Sequence, residues 1–343
     1  MATVKFRDST VLSNSDKPYI VAEVNTSHFG DVEVAKEMIN QAKKAGCDCV
    51  KFQSWSVETL YSKTYYDENP IAKRFVKKFS FSEKELAEVA KYCKEVSIAF
   101  SSTPYSREEV DFLLDNCDVP YIKVASMDLN NYPFLDYIAR SGTPIVLSTG
   151  MGELEEIQKA VKTIEKAGNN NICLLHCISI YPPELSTIRL KNILGLQDNF
   201  PAYPIGFSDH SLGIEMASAA IALGACLIEK HFTLDNTKIG MDNQMAIEPE
   251  EMALLVQNCH NVQIALGDAK RIVSSAEIEQ RNKMRRSIVV TKDLKAGTKL
   301  VVENLDAKRP GTGLPPEKIK ELVGKTLHQN VDKNTFLTEA DIS

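Results

Sequence analysis

Eight short apolar segments recur between residues 20 and 230, and this recurrence constrains the fold more than any other feature. Nearly every position in them is apolar, as in strands buried on both faces of a parallel sheet. The predicted strands are Ile20–Glu23, Cys49–Phe52, Ile98–Ser101, Tyr121–Val124, Ile145–Ser148, Ile172–Cys177, Tyr203–Phe207 and Cys226–Lys230. Because crossover segments separate them, the sequence predicts an α/β fold.

The segments between the strands have helical periodicity and helix signals. After Asp31 apolar residues recur at helical spacing until Gly46, a typical stop. Ser82 and Glu85 match a capping box. Eight strand–helix units predict a (β/α)8 TIM barrel. A doubly wound open sheet is the alternative, but the glycine-rich phosphate loop that it requires after an early strand is not present.

The chain divides into a large and a small part. We predict a TIM-barrel catalytic domain at residues 1–268, a linker with a helical part at 269–286, and a small β-rich domain at 287–343. The small domain is near the lower size limit for unaided folding. The connection 54–80, between the second strand and its helix, is long and polar-aromatic, so we predict a loop acting as a lid.

Composition excludes several classes of function. The net charge is −6 and no basic patch dominates, so nucleic acid is not an expected partner. No apolar run reaches the length of a membrane span, and the N-terminus lacks a signal-peptide core. The eight cysteines form no CxxC pair, which favours buried free thiols in a reducing compartment. We therefore expect a cytoplasmic protein without membrane contacts.

Polar side chains end all eight predicted strands. Active sites of TIM barrels lie at the carboxyl ends of the strands. The polar residues at or just after these ends are Glu23, Lys51, Gln53, Thr103, Lys123, Ser126, Ser148, Ser179, Tyr181, Ser208, His210 and His231. Lys51 and Lys123, surrounded by hydroxyl groups, indicate an anion site. The alternative is that each lysine extends to solvent.

His210 and His231 end the last two strands, which are neighbours in a closed barrel. Imidazoles on adjacent strands can bind one divalent cation, with help from Glu23 and Asp242 directly or through water. A structural role for each histidine is the alternative.

Three further residues are candidates for a role in the site or in the structure. Arg309 lies in a KRPGTG turn and is suited to bind an acyl group or carboxylate, or else it is a solvated surface residue. His176 lies inside an apolar run, which favours a structural role for it. His28 follows the first strand and could contact a substrate.

Several sequence strings resemble one enzyme family over nearly the whole chain. They are IVAEVNTSHFGDVEVAKEMI, GCDCVKFQSW, IKVASMDLNN, IVLSTGM, LLHCISIYPP, GFSDHSLGIE, ALGACLIEKHFTLD and KRPGTG. On these motifs the chain resembles the N-acetylneuraminate (sialic acid) synthase family, which includes the legionaminic and pseudaminic acid synthases. Its C-terminal part resembles the antifreeze-like (SAF) domain of that family.

The resemblance implies a homodimer in which the SAF domain of one subunit caps the TIM barrel of the other. It also implies condensation of phosphoenolpyruvate with a 2-acetamido sugar aldehyde and release of phosphate, aided by Mn²⁺ or Mg²⁺. The sugar would be N-acetylmannosamine or a 2,4-diacetamido-trideoxyhexose. A metal-independent Schiff-base aldolase using Lys123 or Lys230, and a non-catalytic sugar-binding protein, are the alternatives.

The resemblance also implies roles for individual residues. The metal ligands would be His210 and His231. The phosphoenolpyruvate contacts would be Lys51, Thr103, Lys123, Ser126, Ser148 and Ser208. Sugar or metal-water contacts would come from Glu23, Gln53, Tyr181 and Asp242, with Arg309 supplied in trans to the N-acyl group. We expect Asp128 or Glu23 to assist the attacking water, and Lys51 and Lys123 to hold the charge of the leaving phosphate.

Three departures from the family pattern affect this site. Ser179 replaces an asparagine on the phosphate side, and Asp128 replaces a glutamate. The family's Gly-Pro-Asp-His is Gly240-Met241-Asp242-Asn243 here. We expect this loop to influence which sugar is used.

Overall fold

The computed structural model describes residues 2–342 and contains two compact units, Met1–Gly267 and Asp268–Ser343. Each unit has its own cluster of buried apolar side chains. The large unit begins with an antiparallel hairpin of β1 (Thr3–Lys5) and β2 (Val11–Ser13).

Eight parallel strands follow the hairpin. They are β3 (Tyr19–Glu23), β4 (Cys49–Gln53), β5 (Ala99–Thr103), β6 (Ile122–Val124), β7 (Ile145–Ser148), β8 (Ile172–Cys177), β9 (Ile205–Asp209) and β10 (Leu227–His231). Their order is β5-β4-β3-β10-β9-β8-β7-β6, and β5 and β6 at the two ends lie side by side. The last strand of the barrel, β10, pairs with its first strand, β3, and His231 lies opposite Glu23. The predicted TIM barrel is confirmed, and the doubly wound alternative is wrong.

Helices connect these strands and cover the barrel. The helices of the large unit are α1 (Val32–Ala45), α2 (Val57–Leu60), α3 (Lys63–Glu68), α4 (Pro70–Phe79), α5 (Glu83–Glu95), α6 (Arg107–Asn116), α7 (Tyr132–Arg140), α8 (Leu154–Lys166), α9 (Leu185–Ile188), α10 (Asn192–Asn199), α11 (Glu215–Ala222) and α12 (Pro249–Leu266). Asp31 accepts hydrogen bonds from the first turn of α1, and Gly46 ends it at φ 92°. The capping box of Ser82 and Glu85 is present. None of the described helices is long and apolar enough to cross a membrane.

The connection 54–80, which we predicted to be a loop acting as a lid, contains three short helices, α2 to α4. Ser56 and Ser62 cap the first two helices, and Pro70 occupies the first turn of the third. An apolar cluster that includes Trp55 and Phe79 holds them together. Local capping and a small core of its own therefore order this segment, which follows the carboxyl end of β4.

The β1–β2 hairpin covers the amino end of the barrel, opposite the carboxyl ends of its strands. Phe6 packs against Tyr19 and Tyr121, with ring centroids 5.6 and 4.5 Å away. Tyr19 begins β3 and Tyr121 directly precedes β6, so this cluster fills the amino end of the barrel. The carboxyl end is the side on which polar side chains gather.

The small unit contains α13 (Ser275–Met284), the antiparallel strands β11 (Ser287–Val290) and β12 (Leu305–Lys308), and α14 (Ile319–Leu322). Its core includes Ile288, Leu300 and Leu337. Helix α13 lies within the segment 269–286 that we predicted to be a linker with a helical part.

Candidate active site

A cavity of about 290 Å³ opens at the carboxyl ends of the barrel strands. All twelve residues predicted at or just after strand ends line it, and so does Asp242. The twelve are Glu23, Lys51, Gln53, Thr103, Lys123, Ser126, Ser148, Ser179, Tyr181, Ser208, His210 and His231. Side chains alternate between the two faces of a β-strand, so residues two apart on one strand lie on the same face and reach the same cavity.

Lys51 is the centre of one buried polar network. Its ammonium group forms an ion pair with Glu23 and donates a hydrogen bond to Thr103 Oγ1 at 3.2 Å. A second carboxylate oxygen, Oε2 of Glu229, lies 3.9 Å from Lys51 Nζ. Lys51 and Glu23 are 2% and 1% exposed. The lysine therefore does not extend to solvent, and the alternative role considered from the sequence is wrong for this residue.

Lys123 is held on the other side of Glu229. Lys123 Nζ donates to Ser148 Oγ at 2.7 Å and lies 3.7 Å from Glu229 Oε1. Ser208 Oγ donates to the same carboxylate oxygen at 3.0 Å. Glu229 thus lies between two buried lysines, and the base of the cavity alternates cation, anion and cation.

Burial and these ion pairs shift the pKa values of the cluster in different directions. Burial raises the pKa of Glu23 to about 7, although Lys51 opposes the shift. Burial lowers the pKa of Lys123. For Glu229 burial opposes ionisation, but Lys123 and Lys51 outweigh it and lower its pKa. Opposite shifts of this kind are typical of sites that carry out acid–base chemistry.

His210 and His231 lie side by side in the cavity, with ring centroids 5.4 Å apart. His210 Nδ1 is 2.8 Å from the carbonyl oxygen of Ile178, so the tautomer protonated at Nδ1 donates there, while Nε2 lies 3.4 Å from Ser208 Oγ. The Tyr181 ring stacks on His210 at 4.2 Å. Burial holds the pKa of His231 well below its usual value.

This arrangement fits one divalent cation, because a hydrogen-bonded second nitrogen is the usual way to orient a metal-binding imidazole. Among residues 2–342, no three His, Cys, Asp or Glu side chains are grouped so that they could hold a metal by themselves. The histidine pair would therefore supply only part of a coordination sphere.

Amide and phenol groups line another wall of the cavity. Gln53 Nε2 donates to Glu23 Oε1 at 2.8 Å, and Tyr105 donates its hydroxyl proton to Gln53 Oε1 at 2.9 Å. Asn25 donates to the carboxylate of Asp242. These groups offer directional hydrogen bonding of the kind that sugar hydroxyl and amide groups require.

Ser126 and Ser179 meet at a backbone position where only glycine fits. The Gly150 amide donates to Ser126 Oγ at 3.1 Å. A Cβ atom at Gly150 would lie 2.4 Å from Ser179 Oγ and 2.7 Å from Ser126 Oγ. The backbone therefore approaches both hydroxyl groups closely and fixes their positions.

Two predicted site residues are not among those that line the cavity. The side chain of Asn131 donates to Asp128 at 3.0 Å, and burial raises the pKa of Asp128. Arg309 belongs to the small unit, where it follows β12 and is exposed.

His28 is not a cavity residue either. Its ring stacks on Phe81 at a centroid distance of 3.9 Å, and its Nδ1 accepts a hydrogen bond from the Gly30 amide. His176 is bonded to the Ile188 carbonyl oxygen at 2.7 Å and stacks on Phe207. Both histidines are part of the packing around the barrel.

Met241 and Asn243, the two departures from the family pattern after β10, have different structural roles. Met241 and Asp242 line the cavity. Asn243 is buried and holds the loop together, because its amide nitrogen donates to the carbonyl oxygens of Asp235 and Lys238, each at 2.8 Å. Thr233 Oγ1 donates to the amide oxygen of Asn243 at 2.5 Å. Of the two replaced residues, Met241 is therefore the one positioned to contact a substrate.

Glu229 and Asn25 are cavity residues that sequence reasoning missed. Glu229 lies two residues before His231 on β10, so the alternation of strand side chains could have indicated it. Asn25 has no comparable signal, because it follows β3 in a turn with φ 44°.

Comparison with known proteins places these features in a family. The chain matches the NeuB family over residues 38–271 and the SAF domain over residues 285–343. The N,N'-diacetyllegionaminic acid synthase of Legionella pneumophila is 35% identical over 93% of this chain and 93% of that protein. The N-acetylneuraminate-9-phosphate synthase of Homo sapiens is 36% identical, over 94% and 91% of the two chains.

One solved structure is similar to this chain in both fold and sequence. The crystal structure of N-acetylneuraminic acid (sialic acid) synthetase from Leptospira borgpetersenii, in complex with citrate, has a TM-score of 0.74 and 32% identity, covering 82% of this chain and 98% of that one. The NeuB match spans more than half of the chain, and the two named relatives exceed 30% identity over nearly all of it. The chain therefore belongs to the NeuB family.

Proposed function

We propose that this protein joins phosphoenolpyruvate to an N-acylated amino-sugar aldehyde and releases phosphate, forming a nonulosonic (sialic-type) acid. Membership of the NeuB family supports a carbon–carbon bond-forming transferase, since relatives are named as legionaminic, pseudaminic and N-acetylneuraminate-9-phosphate synthases. The observation that carries the proposal is the buried pair Lys51 and Lys123 at the base of the barrel cavity.

The two lysines suit phosphoenolpyruvate, which carries two anionic groups, a carboxylate and a phosphate. Each ammonium group already faces a carboxylate and a hydroxyl group, so it is fixed before the substrate arrives. Preorganised cations in a site shielded from water stabilise developing negative charge most strongly. The hydroxyl groups that would complete the phosphate contacts are those of Thr103, Ser126, Ser148 and Ser208.

The reaction begins with attack of C3 of phosphoenolpyruvate on the aldehyde carbon, which forms the new C–C bond and leaves C2 electron-poor. The aldehyde oxygen takes a proton and becomes a hydroxyl group. Water then adds at C2 and gives a proton to a base. Finally the C2–O bond to phosphate breaks and the C2 hydroxyl group gives its proton to the departing phosphate, which leaves a ketone at C2. Lys51 and Lys123 stabilise the charge of that phosphate.

Glu23 is the carboxylate best suited to accept the proton from water. It lines the cavity, and its pKa of about 7 leaves it partly ionised and able to accept a proton near neutral pH. Asp128, the other candidate from the sequence, does not line the cavity and accepts a hydrogen bond from Asn131. We therefore favour Glu23 as the base.

His210 and His231 would hold the divalent cation, Mn²⁺ or Mg²⁺, with water and substrate oxygens completing its coordination. When bound, such an ion polarises a carbonyl oxygen and stabilises the alkoxide that develops from it. Tyr181 and the Ile178 carbonyl oxygen orient His210 for this role.

We also propose the dimer that the resemblance implies, in which Arg309 acts in the active site of the partner subunit. A complementation experiment tests this arrangement. Mixed dimers of His210→Ala and Arg309→Ala subunits contain one intact barrel served by one intact Arg309 only if the arginine acts in trans. Activity in the mixture well above that of either variant alone is expected, and its absence would count against the arrangement.

Phosphate release tests the reaction itself. Purified protein with Mn²⁺ and phosphoenolpyruvate should release phosphate only when an amino-sugar aldehyde is added. Lys123→Met should reduce this rate by roughly 100-fold or more. Lys17→Met, at an exposed lysine paired with Asp48, is the matched control and should leave it unchanged. With ¹⁸O in the bridging position of phosphoenolpyruvate, the label should appear in phosphate, and label retained in the keto acid would exclude the mechanism.

The same assays separate the alternatives. A Schiff-base aldolase would ignore EDTA and be trapped by borohydride with its carbonyl substrate. Of the two lysines considered for that chemistry, Lys123 lines the cavity and Lys230 does not. A non-catalytic sugar-binding protein would release no phosphate with any aldehyde sugar.

A further inference from the structure

Tyr105 lines the cavity, yet the proposed reaction gives it no part. It lies two residues beyond the end of β5 and is half-buried. Its hydroxyl group donates to Gln53 Oε1 at 2.9 Å. Burial raises the pKa of Tyr105 well above its usual value, so the hydroxyl group keeps its proton and acts as a hydrogen-bond donor.

The side-chain amide of Gln53 can face Glu23 in two ways. Its NH2 end donates to a carboxylate, whereas its oxygen end is an acceptor and would repel one. In the structure Gln53 Nε2 donates to Glu23 Oε1 at 2.8 Å, while Gln53 Oε1 accepts the proton of Tyr105. The tyrosine hydroxyl group therefore stabilises the orientation in which Gln53 binds the ionised form of Glu23.

Glu23 is held at both of its carboxylate oxygen atoms. Gln53 donates to Oε1, and the ammonium group of Lys51 forms an ion pair with Oε2. A carboxylate that accepts a proton from water must present its lone pair at a fixed position within hydrogen-bond reach of that water. Tyr105 and Gln53 help to fix this position from the wall of the cavity, as Lys51 does from its base.

The backbone at Tyr105 is fixed by another buried carboxylate, that of Glu109 on α6. The Tyr105 amide donates to Glu109 Oε2 at 2.6 Å, and Thr59 Oγ1 donates to Glu109 Oε1 at 2.6 Å. Glu109 is 9% exposed, so these hydrogen bonds meet little competition from water. Because Thr59 belongs to α2, Glu109 joins the segment 54–80 to the tyrosine.

Thr59 also orders the start of that segment. Its Oγ1 accepts a hydrogen bond from the Ser56 amide at 2.9 Å, which is part of the capping box of α2. A path of hydrogen bonds, with the Tyr105 side chain as one link, therefore runs from the first turn of α2 through Glu109 to the carboxylate that we favour as the base.

We propose that Tyr105 is a positioning residue, which orients the Glu23 carboxylate through Gln53 and is itself coupled to the segment 54–80 through Glu109. The inference rests on the proposed function, in which Glu23 accepts the proton of the attacking water. The tyrosine hydroxyl group then affects the chemical step and not the binding of phosphoenolpyruvate, which Lys51 and Lys123 carry out.

Tyr105→Phe tests this role, because it removes one oxygen atom and leaves the ring in place. With Mn²⁺, phosphoenolpyruvate and an amino-sugar aldehyde, kcat for phosphate release should fall by roughly 10-fold or more, since a well-placed base contributes about 10²- to 10⁴-fold. The KM for phosphoenolpyruvate should change by less than about twofold. Tyr92→Phe is the matched control, because Tyr92 donates to Asn40 Oδ1 at 3.0 Å between α5 and α1, and its kcat should be unchanged.

The outcomes separate the inference from the proposed function. A wild-type kcat in Tyr105→Phe, or a loss confined to the KM for phosphoenolpyruvate, would overturn the inference and leave the proposed reaction intact. No phosphate release by the unaltered protein with any amino-sugar aldehyde would overturn the proposed function and the inference with it.

A double-mutant cycle shows whether the hydroxyl group acts through Gln53. Gln53→Met removes the amide, so adding Tyr105→Phe to it should lower kcat little further, whereas independent effects would multiply. Multiplied effects would overturn the positioning role, because a tyrosine that only stabilises the fold would act independently of the amide.

Glu109→Gln tests the connection to the segment 54–80. It replaces one of two acceptor oxygens by an NH2 donor, so either the Tyr105 amide or Thr59 loses its acceptor at that position. We expect faster hydrogen exchange in the peptide 54–80 and a several-fold lower kcat. Glu108→Gln, at the exposed neighbouring position on α6, is the control. Unchanged exchange and unchanged kcat in Glu109→Gln would overturn the coupling.

Discussion

Lys230 and Asp209 form an ion pair at 2.9 Å on neighbouring strands, and both side chains are completely buried. Lys230 Nζ also donates to the carbonyl oxygen of Ser211, whose amide and hydroxyl group donate to Asp209. The pair directly precedes His231 on β10 and His210 after β9. It therefore fixes the two strand ends that carry the histidines, from the face opposite the cavity.

Replacing Lys230 with methionine should destabilise the fold strongly. The substitution leaves the buried Asp209 carboxylate without its cation, which typically costs about 3–5 kcal/mol. Urea unfolding followed by circular dichroism measures the loss. Arg140→Met is the control, because Arg140 and Asp136 form an exposed pair on α7 and should contribute little. Equal stability of the two variants would show that the buried pair does not hold this side of the barrel together.

His210→Ala and His231→Ala should each reduce metal-dependent phosphate release by more than about 100-fold, while leaving the circular dichroism spectrum unchanged. Removing one imidazole from a two-imidazole site removes half of the protein ligands that we propose. Mn²⁺ binding, followed by electron paramagnetic resonance, should weaken in parallel. His328→Ala, at an exposed histidine of the small unit, is the control. Normal Mn²⁺ affinity in both cavity variants would exclude them as ligands.

The buried Glu23 should make stability depend on pH. Its pKa is about 7 in the folded chain, above its ordinary 4.5, so the folded state favours the protonated form. Its contribution to stability is present below about pH 4.5 and is lost as pH rises through about 7. The free energy of unfolding of the wild type should therefore fall, relative to Glu23→Gln, between pH 5 and pH 8. A constant difference between the two proteins over that range would contradict the raised pKa.

Gly150→Ala should impair activity more than stability. The added Cβ would displace the hydroxyl groups of Ser126 and Ser179, and a shift of about 1 Å in such groups can reduce a rate by roughly 100-fold. Phosphate release and urea unfolding measure the two effects separately. Gly195→Ala is the control, because nothing lies within 4 Å of a Cβ there, and in a helix alanine should add about 0.5–1 kcal/mol of stability. Undiminished phosphate release by Gly150→Ala would show that the two serines have no part in the reaction.

Much of the barrel and its cavity follows from local patterns. Continuous apolar runs indicate doubly buried strands, and the polar residue at each strand end points to the carboxyl face, as Lys51, Lys123 and His231 show. The observed strand boundaries differ from the predicted ones by at most two residues, and Asp209 and His231 extend β9 and β10 beyond their predicted ends. Asp209 continues β9 because Lys230 neutralises its buried carboxylate, whereas His231 continues β10 because its side chain faces the cavity.

Other features depend on contacts between distant parts of the chain. The sequence by itself determined the TIM barrel, the polar ring at its carboxyl end and the resemblance to the synthase family, because periodicity and motifs are local. Only the tertiary structure decided that Glu229 separates Lys51 from Lys123, that Asn243 secures its loop while Met241 lines the cavity, and that His28 packs on Phe81. Which way a side chain points, and what faces it, depends on strands and loops far away in sequence, and local pattern carries no information about them.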